Sequence, residues 1–162
     1  MRHEYTTDEA RAWLLAGLKY QRILSALERK YNAIEERLPD ARLSKLTGMP
    51  RGGAHDWQTD VDKLIDERRE LAAKIRLTMA RIKARREVIN TIDAPHTRAV
   101  IAAYYLDGLT TGQVTRKLKR TQQTVYQQHQ RGLALVAWEL TRRAENAPYP
   151  GTDAAALWGC GE

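Results

Sequence analysis

One segment near the C-terminus presents amide and hydroxyl side chains in a pattern that could recognise nucleic acid. From Gly108 to Trp138 the chain contains no Asp or Glu, whereas a helix surface that is only solvated usually carries Glu and Lys. A Gln amide donates and accepts at once, so it can pair with N6 and N7 of adenine in the major groove. The residues predicted to contact bases are Gln122, Gln123, Tyr126 and Gln127.

Basic residues surround this segment. Such side chains neutralise phosphates and fix the register of a protein on DNA without reading its sequence. The residues predicted to contact phosphates are Arg116, Lys117, Lys119, Arg120, Thr121 and Arg131. The alternative interpretation is an ordinary pair of helices with a basic, solvated face.

Two short helices joined by a turn would position these side chains. The first is predicted to begin at Thr110, which forms a capping box with Gln113, and the second begins after Thr121, another good N-cap. Lys119 and Arg120 form the turn between them. The inward-facing positions are Val114 and Leu118 in the first helix and Val125, Leu133 and Val136 in the second.

The segment Tyr104-Tyr105-Leu106-Asp107-Gly108-Leu109-Thr110 begins a longer motif. It continues with Gln113-Val114-Thr115, Leu118, Thr121, Val125-Tyr126, His129 and Arg131-Gly132-Leu133. Together these residues resemble the DNA-binding end of sigma-70 region 4. The whole chain is similar in organisation to small phage-encoded regulators of late transcription and autolysin genes.

That resemblance implies that the first turns of the second helix face the major groove. It also implies action on phage late or lysis genes in the cytoplasm of a bacterial host, and contact with RNA polymerase. The chain departs from the family pattern at two positions. Lys119 stands where the turn usually has Gly, and Gln128 stands where an apolar residue is usual.

Composition and charge favour a helical protein with a polyanionic partner. The 162 residues include no Phe and have a formal charge of +7 with a pI near 9.7. Residues 1–40 carry seven acids and seven bases, so the positive excess lies later in the chain. This distribution argues for double-stranded DNA rather than a membrane surface.

Two long amphipathic helices are predicted before the motif. The first follows a capping box at Thr6 and Glu9 and ends at Pro39, and the second runs from Thr59 to Ile92. The simplest arrangement is an antiparallel, coiled-coil-like hairpin closed by a linker at residues 39–56. The apolar stripes could instead pair between chains, because a two-helix hairpin buries little surface. We expect a homodimer through this hairpin.

Some positions within these helices carry separate expectations. Arg68 and Arg85 fall in the apolar stripe of the second helix, where a buried unpaired charge is costly, so they should snorkel or meet acids such as Glu28 or Glu35. Ala94, before a proline, is the expected joint. A further helix at residues 97–106 would complete the motif's core through Val100, Ile101, Tyr104 and Tyr105, and Trp138 and Leu140 would pack back on the hairpin.

The sequence shows no catalytic constellation. The four His residues lack ligand spacing, and the single Cys160 excludes an internal disulfide and fits a reducing cytoplasm. No targeting segment or membrane span is predicted, and neither a cofactor nor a metal is expected.

The predicted fold is therefore all-α, with a long antiparallel helical hairpin at residues 1–92, a helix-turn-helix domain at 93–145 and a flexible tail at 146–162. The predicted function is that of a DNA-binding transcriptional regulator without enzymatic activity. Two alternatives remain open. The chain could be a phage packaging or assembly subunit that grips DNA without sequence preference, or a helical adaptor that binds a protein partner.

Overall fold

The computed structural model describes residues 4–43 and 57–146, and all of the regular structure in these ranges is α-helical. The helices are α1 (Thr7–Leu43), α2 (Trp57–Asn90), α3 (Pro95–Tyr105), α4 (Thr111–Leu118) and α5 (Gln122–Asn146). The predicted all-α class is confirmed. Within the described ranges no helix has the length and apolar character to span a bilayer. Most of the predicted linker and tail, with Cys160, lies outside these ranges.

The N-terminus of α1 follows the sequence pattern, but its C-terminus does not. The Thr6 N–H donates to the Glu9 carboxylate at 2.7 Å, and the Glu9 N–H donates to the Thr6 hydroxyl at 3.2 Å. The prediction that Pro39 ends the helix is wrong, because α1 continues to Leu43. A proline removes one backbone hydrogen bond, and burial of Leu38 just before it helps to hold the helix in place.

The chain forms two compact units. The second unit, Arg22–Met79, packs Ile34 and Leu38 of α1 against Leu71 of α2. Arg68 donates to Glu35 at 3.0 Å, so its predicted acid partner is confirmed.

The first unit comprises Met1–Gln21 and Ala80–Glu162. Its core joins Leu14 of α1, Ile89 of α2, Ile101 of α3 and Val136 of α5. The end of α2 thus shares a core with α1, α3 and α5. The sequence predicts a boundary between two domains at residues 92 and 93. Whether the segments on either side fold independently stays a prediction. Ala94 is extended before Pro95, and this is the predicted joint.

Arg85 has a different environment from the predicted one. It is only 3% exposed, and no carboxylate of the described residues pairs with it. Its guanidinium lies 4.5 Å from the ring centre of Trp13 and 4.7 Å from that of Tyr20, and Nε donates to the Trp13 carbonyl at 2.8 Å. Gly17 leaves the necessary space, since a Cβ there would lie 2.7 Å from Arg85 Cδ. Burial lowers the pKa of Arg85 to about 10, so the side chain stays charged at neutral pH.

Trp138 also differs from its prediction. Leu140 is buried in the core of the first unit, as expected, but Trp138 is 64% exposed. Residues two apart on a helix point in nearly opposite directions, so burial of Leu140 turns Trp138 outward.

Helices α3 and α5 are in close contact at Gly132. A Cβ at this position would clash with Cγ1 of Ile101 and would lie 3.2 Å from Cγ2 of Thr97. Both of these neighbours are fully buried. The absence of a side chain at Gly132 therefore sets the distance between the two helices.

We expect Gly132→Ala to lower the free energy of unfolding by about 1–3 kcal/mol. The added methyl group would collide with Ile101, and the cost of this collision exceeds the stabilisation that alanine gains from its higher helix propensity. Urea denaturation followed by circular dichroism would measure the change. Gly112→Ala is the matched control, since a Cβ at Gly112 meets nothing within 4 Å. An equal effect of the two substitutions would contradict the packing argument.

Candidate nucleic-acid interface

Helices α3, α4 and α5 enclose a small apolar core of their own. Val100 and Ala103 of α3, Val114 of α4 and Val125 of α5 are all buried in it. Tyr104 packs against this cluster, and its hydroxyl donates to the Thr111 hydroxyl at 3.0 Å. Because Val125 is buried in this core, the core determines which side of α5 faces inward in its first turns.

Both predicted N-caps are present. The Thr110 N–H donates to the Gln113 side-chain oxygen at 2.8 Å, which completes the capping box at the start of α4. At the start of α5 the Thr124 N–H donates to the Thr121 hydroxyl at 3.2 Å. These local bonds begin each helix at the residue that the sequence indicates.

The turn between α4 and α5 places Lys119 in the left-handed region, with φ 50° and ψ 47°. This conformation lets the Arg120 N–H reach the Thr115 carbonyl at 3.2 Å and close the end of α4. Glycine adopts such a φ without strain, whereas a residue with a Cβ does not. The turn between α4 and α5 is therefore formed at the expense of strain at a lysine.

The four residues predicted to contact bases are all exposed in the first turns of α5. Tyr126 is 63% exposed, and Val125 beside it is fully buried. Gln130, which the sequence prediction did not include among the base contacts, is also exposed on this part of the helix. Its i, i+3 spacing from Gln127 is the signal that could have identified it.

These polar residues form two neighbouring stripes. Gln122, Tyr126 and Gln130 line a cavity of about 440 Å³ whose other walls include Arg11 and Tyr104. Gln123 and Gln127, one turn apart, do not line it. The stripe of Gln123 and Gln127 is thus exposed to solvent outside the cavity.

The predicted phosphate contacts are exposed as well, but they are not equivalent. Lys117 forms an ion pair with Asp107 at 2.7 Å, so part of its charge is compensated within the chain. Arg116 donates through Nε to the Gly112 carbonyl at 3.2 Å. Lys119, Arg120 and Arg131 complete the exposed cations around the turn and α5.

Gln128 lies opposite a buried polar group of α3. The buried Thr97 hydroxyl donates to the Gln128 side-chain oxygen. A buried hydroxyl without a partner is costly, so the polar residue at this position satisfies a polar group of α3. The position accepts glutamine because α3 carries a threonine opposite it.

His129 is half-buried and lines the cavity beside α5. Its Nε2 hydrogen-bonds to the Tyr105 hydroxyl at 2.8 Å, and its ring lies 4.9 Å from that of Tyr104. Burial, with a smaller effect of the Arg11 charge, lowers the pKa of His129 below its ordinary value. Its role is therefore structural. In the described ranges no group of three or more His, Cys, Asp or Glu could hold a metal ion.

The strain at Lys119 can be measured with two substitutions that both remove the charged side chain. We expect Lys119→Gly to be more stable than Lys119→Ala by about 1 kcal/mol, because only alanine retains the Cβ that disfavours positive φ. Thermal or urea denaturation would provide the comparison. Equal stabilities would show that the left-handed conformation carries no strain.

His129 should make stability depend on pH. The folded-state pKa of His129 lies below the unfolded value of 6.5, so its contribution to stability is present above pH 6.5 and is lost progressively as the pH falls from 6.5 through the lower folded-state pKa. We expect His129→Gln to reduce the loss of stability between about pH 7 and about pH 5.5, measured by urea denaturation. His96→Gln, at an exposed position, serves as the control and should retain the wild-type dependence.

The chain matches no family model, no curated protein and no solved structure. Its function must therefore be argued from the residues of this interface and from their chemistry.

Proposed function

We propose that the protein is a sequence-specific regulator of transcription that binds double-stranded DNA, with the first turns of α5 in the major groove. The observation that carries the proposal is the exposed amide face of α5, in a segment without carboxylates from Gly108 to Trp138. Carboxylates at such a face would repel DNA, whereas amides can pair with base edges.

Gln123 and Gln127 have a spacing that suits base reading. They lie four residues apart on α5, which corresponds to about 6 Å along the helix axis. Successive base pairs are about 3.4 Å apart, so the two amides could reach bases two steps apart. Gln122 and Tyr126, on the neighbouring stripe, would contact the edge of the same groove or the adjoining backbone.

The exposed cations would hold the phosphates on either side of the groove. Lys119 and Arg120 occupy the turn directly before α5, and Arg131 lies two turns into it. The N-terminus of α5 adds a partial positive charge next to Thr121. These contacts supply affinity and register rather than sequence preference.

The resemblance of residues 104–133 to sigma-70 region 4 supports a more specific proposal. The targets would be late or lysis genes of a phage, and binding would take place in the cytoplasm of a bacterial host. A contact with RNA polymerase near the promoter belongs to the same proposal.

Selection of bound duplexes from a random DNA pool would test the function. Enrichment of a defined motif, with affinity that falls as salt rises, supports a sequence-specific regulator. Tight binding without an enriched motif would favour a packaging or assembly subunit instead. Absence of salt-dependent DNA binding would favour the protein-binding adaptor.

Two substitutions should separate base reading from phosphate binding. We expect Gln127→Ala to reduce discrimination between the selected motif and random DNA, and Lys119→Ala to weaken both about equally. Lys119→Ala should also lower the slope of log affinity against log salt by about one. Fluorescence anisotropy across a salt series would measure both effects.

Arg76→Ala is the matched control for these measurements, because it removes an exposed cation from α2. It should change neither discrimination nor the salt slope. Equal behaviour of Gln127→Ala and Lys119→Ala would refute the division of roles.

A further inference from the structure

The second half of α5 exposes a continuous face that the proposed DNA contacts do not use, apart from Arg131 at its edge. Trp138 is 64% exposed and Leu135 is 37% exposed. Neighbouring positions at helical spacings of three and four lie on the same side of the helix. We call this surface the Trp138 face, and its exposed residues are Arg131, Ala134, Leu135, Trp138, Arg142 and Glu145.

The charges of the Trp138 face are arranged around its centre. Arg142 lies over the Trp138 ring at 5.8 Å and donates to Glu139 at 2.8 Å. Glu139 is only 2% exposed, so the charge of Arg142 is already compensated within α5. The opposite charges of Arg131 and Glu145 lie at the two ends, each seven residues from Trp138.

Such an arrangement is complementary to itself. In a twofold contact between antiparallel helices, a residue on the axis meets its own copy, and residues equidistant from it exchange partners. With Trp138 on the axis, Arg131 meets Glu145 of the partner subunit at both ends. The small Ala134 comes opposite the long Arg142 of the partner subunit, so size is complementary as well.

We propose that the Trp138 face is the contact between two copies of this chain, paired antiparallel with Trp138 at the twofold axis. The apolar stripes of the helical hairpin predict a dimer contact there. However, the stripe residues Ile34, Leu38 and Leu71 are buried within a single chain. The Trp138 face, in contrast, is exposed in the single chain, with a tryptophan at its centre.

The pairing has a consequence for DNA that rests on the proposed function. Gln127 lies eleven residues before Trp138, so the two copies of Gln127 would be about 33 Å apart along the paired helices. Adjacent half-sites on one side of B-DNA are about 34–36 Å apart. A selected motif should then contain two half-sites with one-turn spacing.

The contact is small. The paired segments from Arg131 to Glu145 overlap for about 21 Å of helix. Interfaces of this size belong to the weaker class, so we expect a dissociation constant on the order of micromolar to tens of micromolar.

Self-association should be measured without DNA, so that its outcome is independent of the proposed function. Sedimentation equilibrium of the full chain, up to a concentration of about 0.5 mM, suits the expected range. We expect Trp138→Ala to weaken dimerisation at least tenfold, because truncation of a central aromatic anchor removes most of a small interface. Met79→Ala removes an exposed apolar side chain from α2 and should leave dimerisation unchanged.

Charge exchange tests the antiparallel register. Arg131→Glu and Glu145→Arg each place like charges together at both ends, and each should weaken dimerisation about tenfold. The double variant restores opposite charges and should return within about threefold of the wild type, since a register-specific pair couples the two sites.

Three results would overturn the proposal. The first is a wild-type chain that stays monomeric at the highest concentration, which would assign the Trp138 face to a different partner. The second is a Trp138→Ala variant that dimerises like the wild type. The third is a double charge variant as weak as the single ones, which would exclude this register.

Discussion

The contact between Gly132 and Ile101 is the constraint on which the arrangement of the last three helices depends. It lets α5 approach α3 closely enough for Val125, Leu133 and Val136 to be buried. A helix has only one rotation that buries this stripe, so the same contact turns Gln123 and Gln127 outward. The chemistry available on the exposed side of α5 is thus decided by a packing contact on its inner side.

Two buried polar side chains, Arg85 and Thr97, are satisfied without an ion pair. The Arg85 guanidinium lies against two aromatic rings and donates to backbone carbonyls, and the Thr97 hydroxyl finds the Gln128 amide. Each arrangement needs a partner that is distant in the sequence and cannot be predicted from the neighbouring residues. Gly17 leaves space for Arg85, and Thr97 provides a hydrogen-bonding partner for a polar residue on α5. Such pairs give a helix interface specificity as well as stability.

The exposed side of α5 serves two proposed roles along one helix. Its first turns carry amides with exposed cations nearby, which suits a polyanionic groove. Its second half carries Trp138 between two opposite charges, which suits a copy of itself. Because one rigid helix bears both surfaces, the spacing between two DNA contacts would be set by the helix rise rather than by a flexible linker.

The sequence by itself determined the local features of this protein. Helical character, the caps at Thr6, Thr110 and Thr121, the inward stripe of α5 and the exposure of its glutamines all depend on neighbours within a few residues, and periodicity records such relations. Only the tertiary structure decided the features that depend on distant residues. It showed that Pro39 lies within a helix, that Arg85 has aromatic rather than acidic neighbours, and that Trp138 is exposed. In each case the outcome is set by groups packed from elsewhere in the chain, because local propensity yields to the larger free energy of burial.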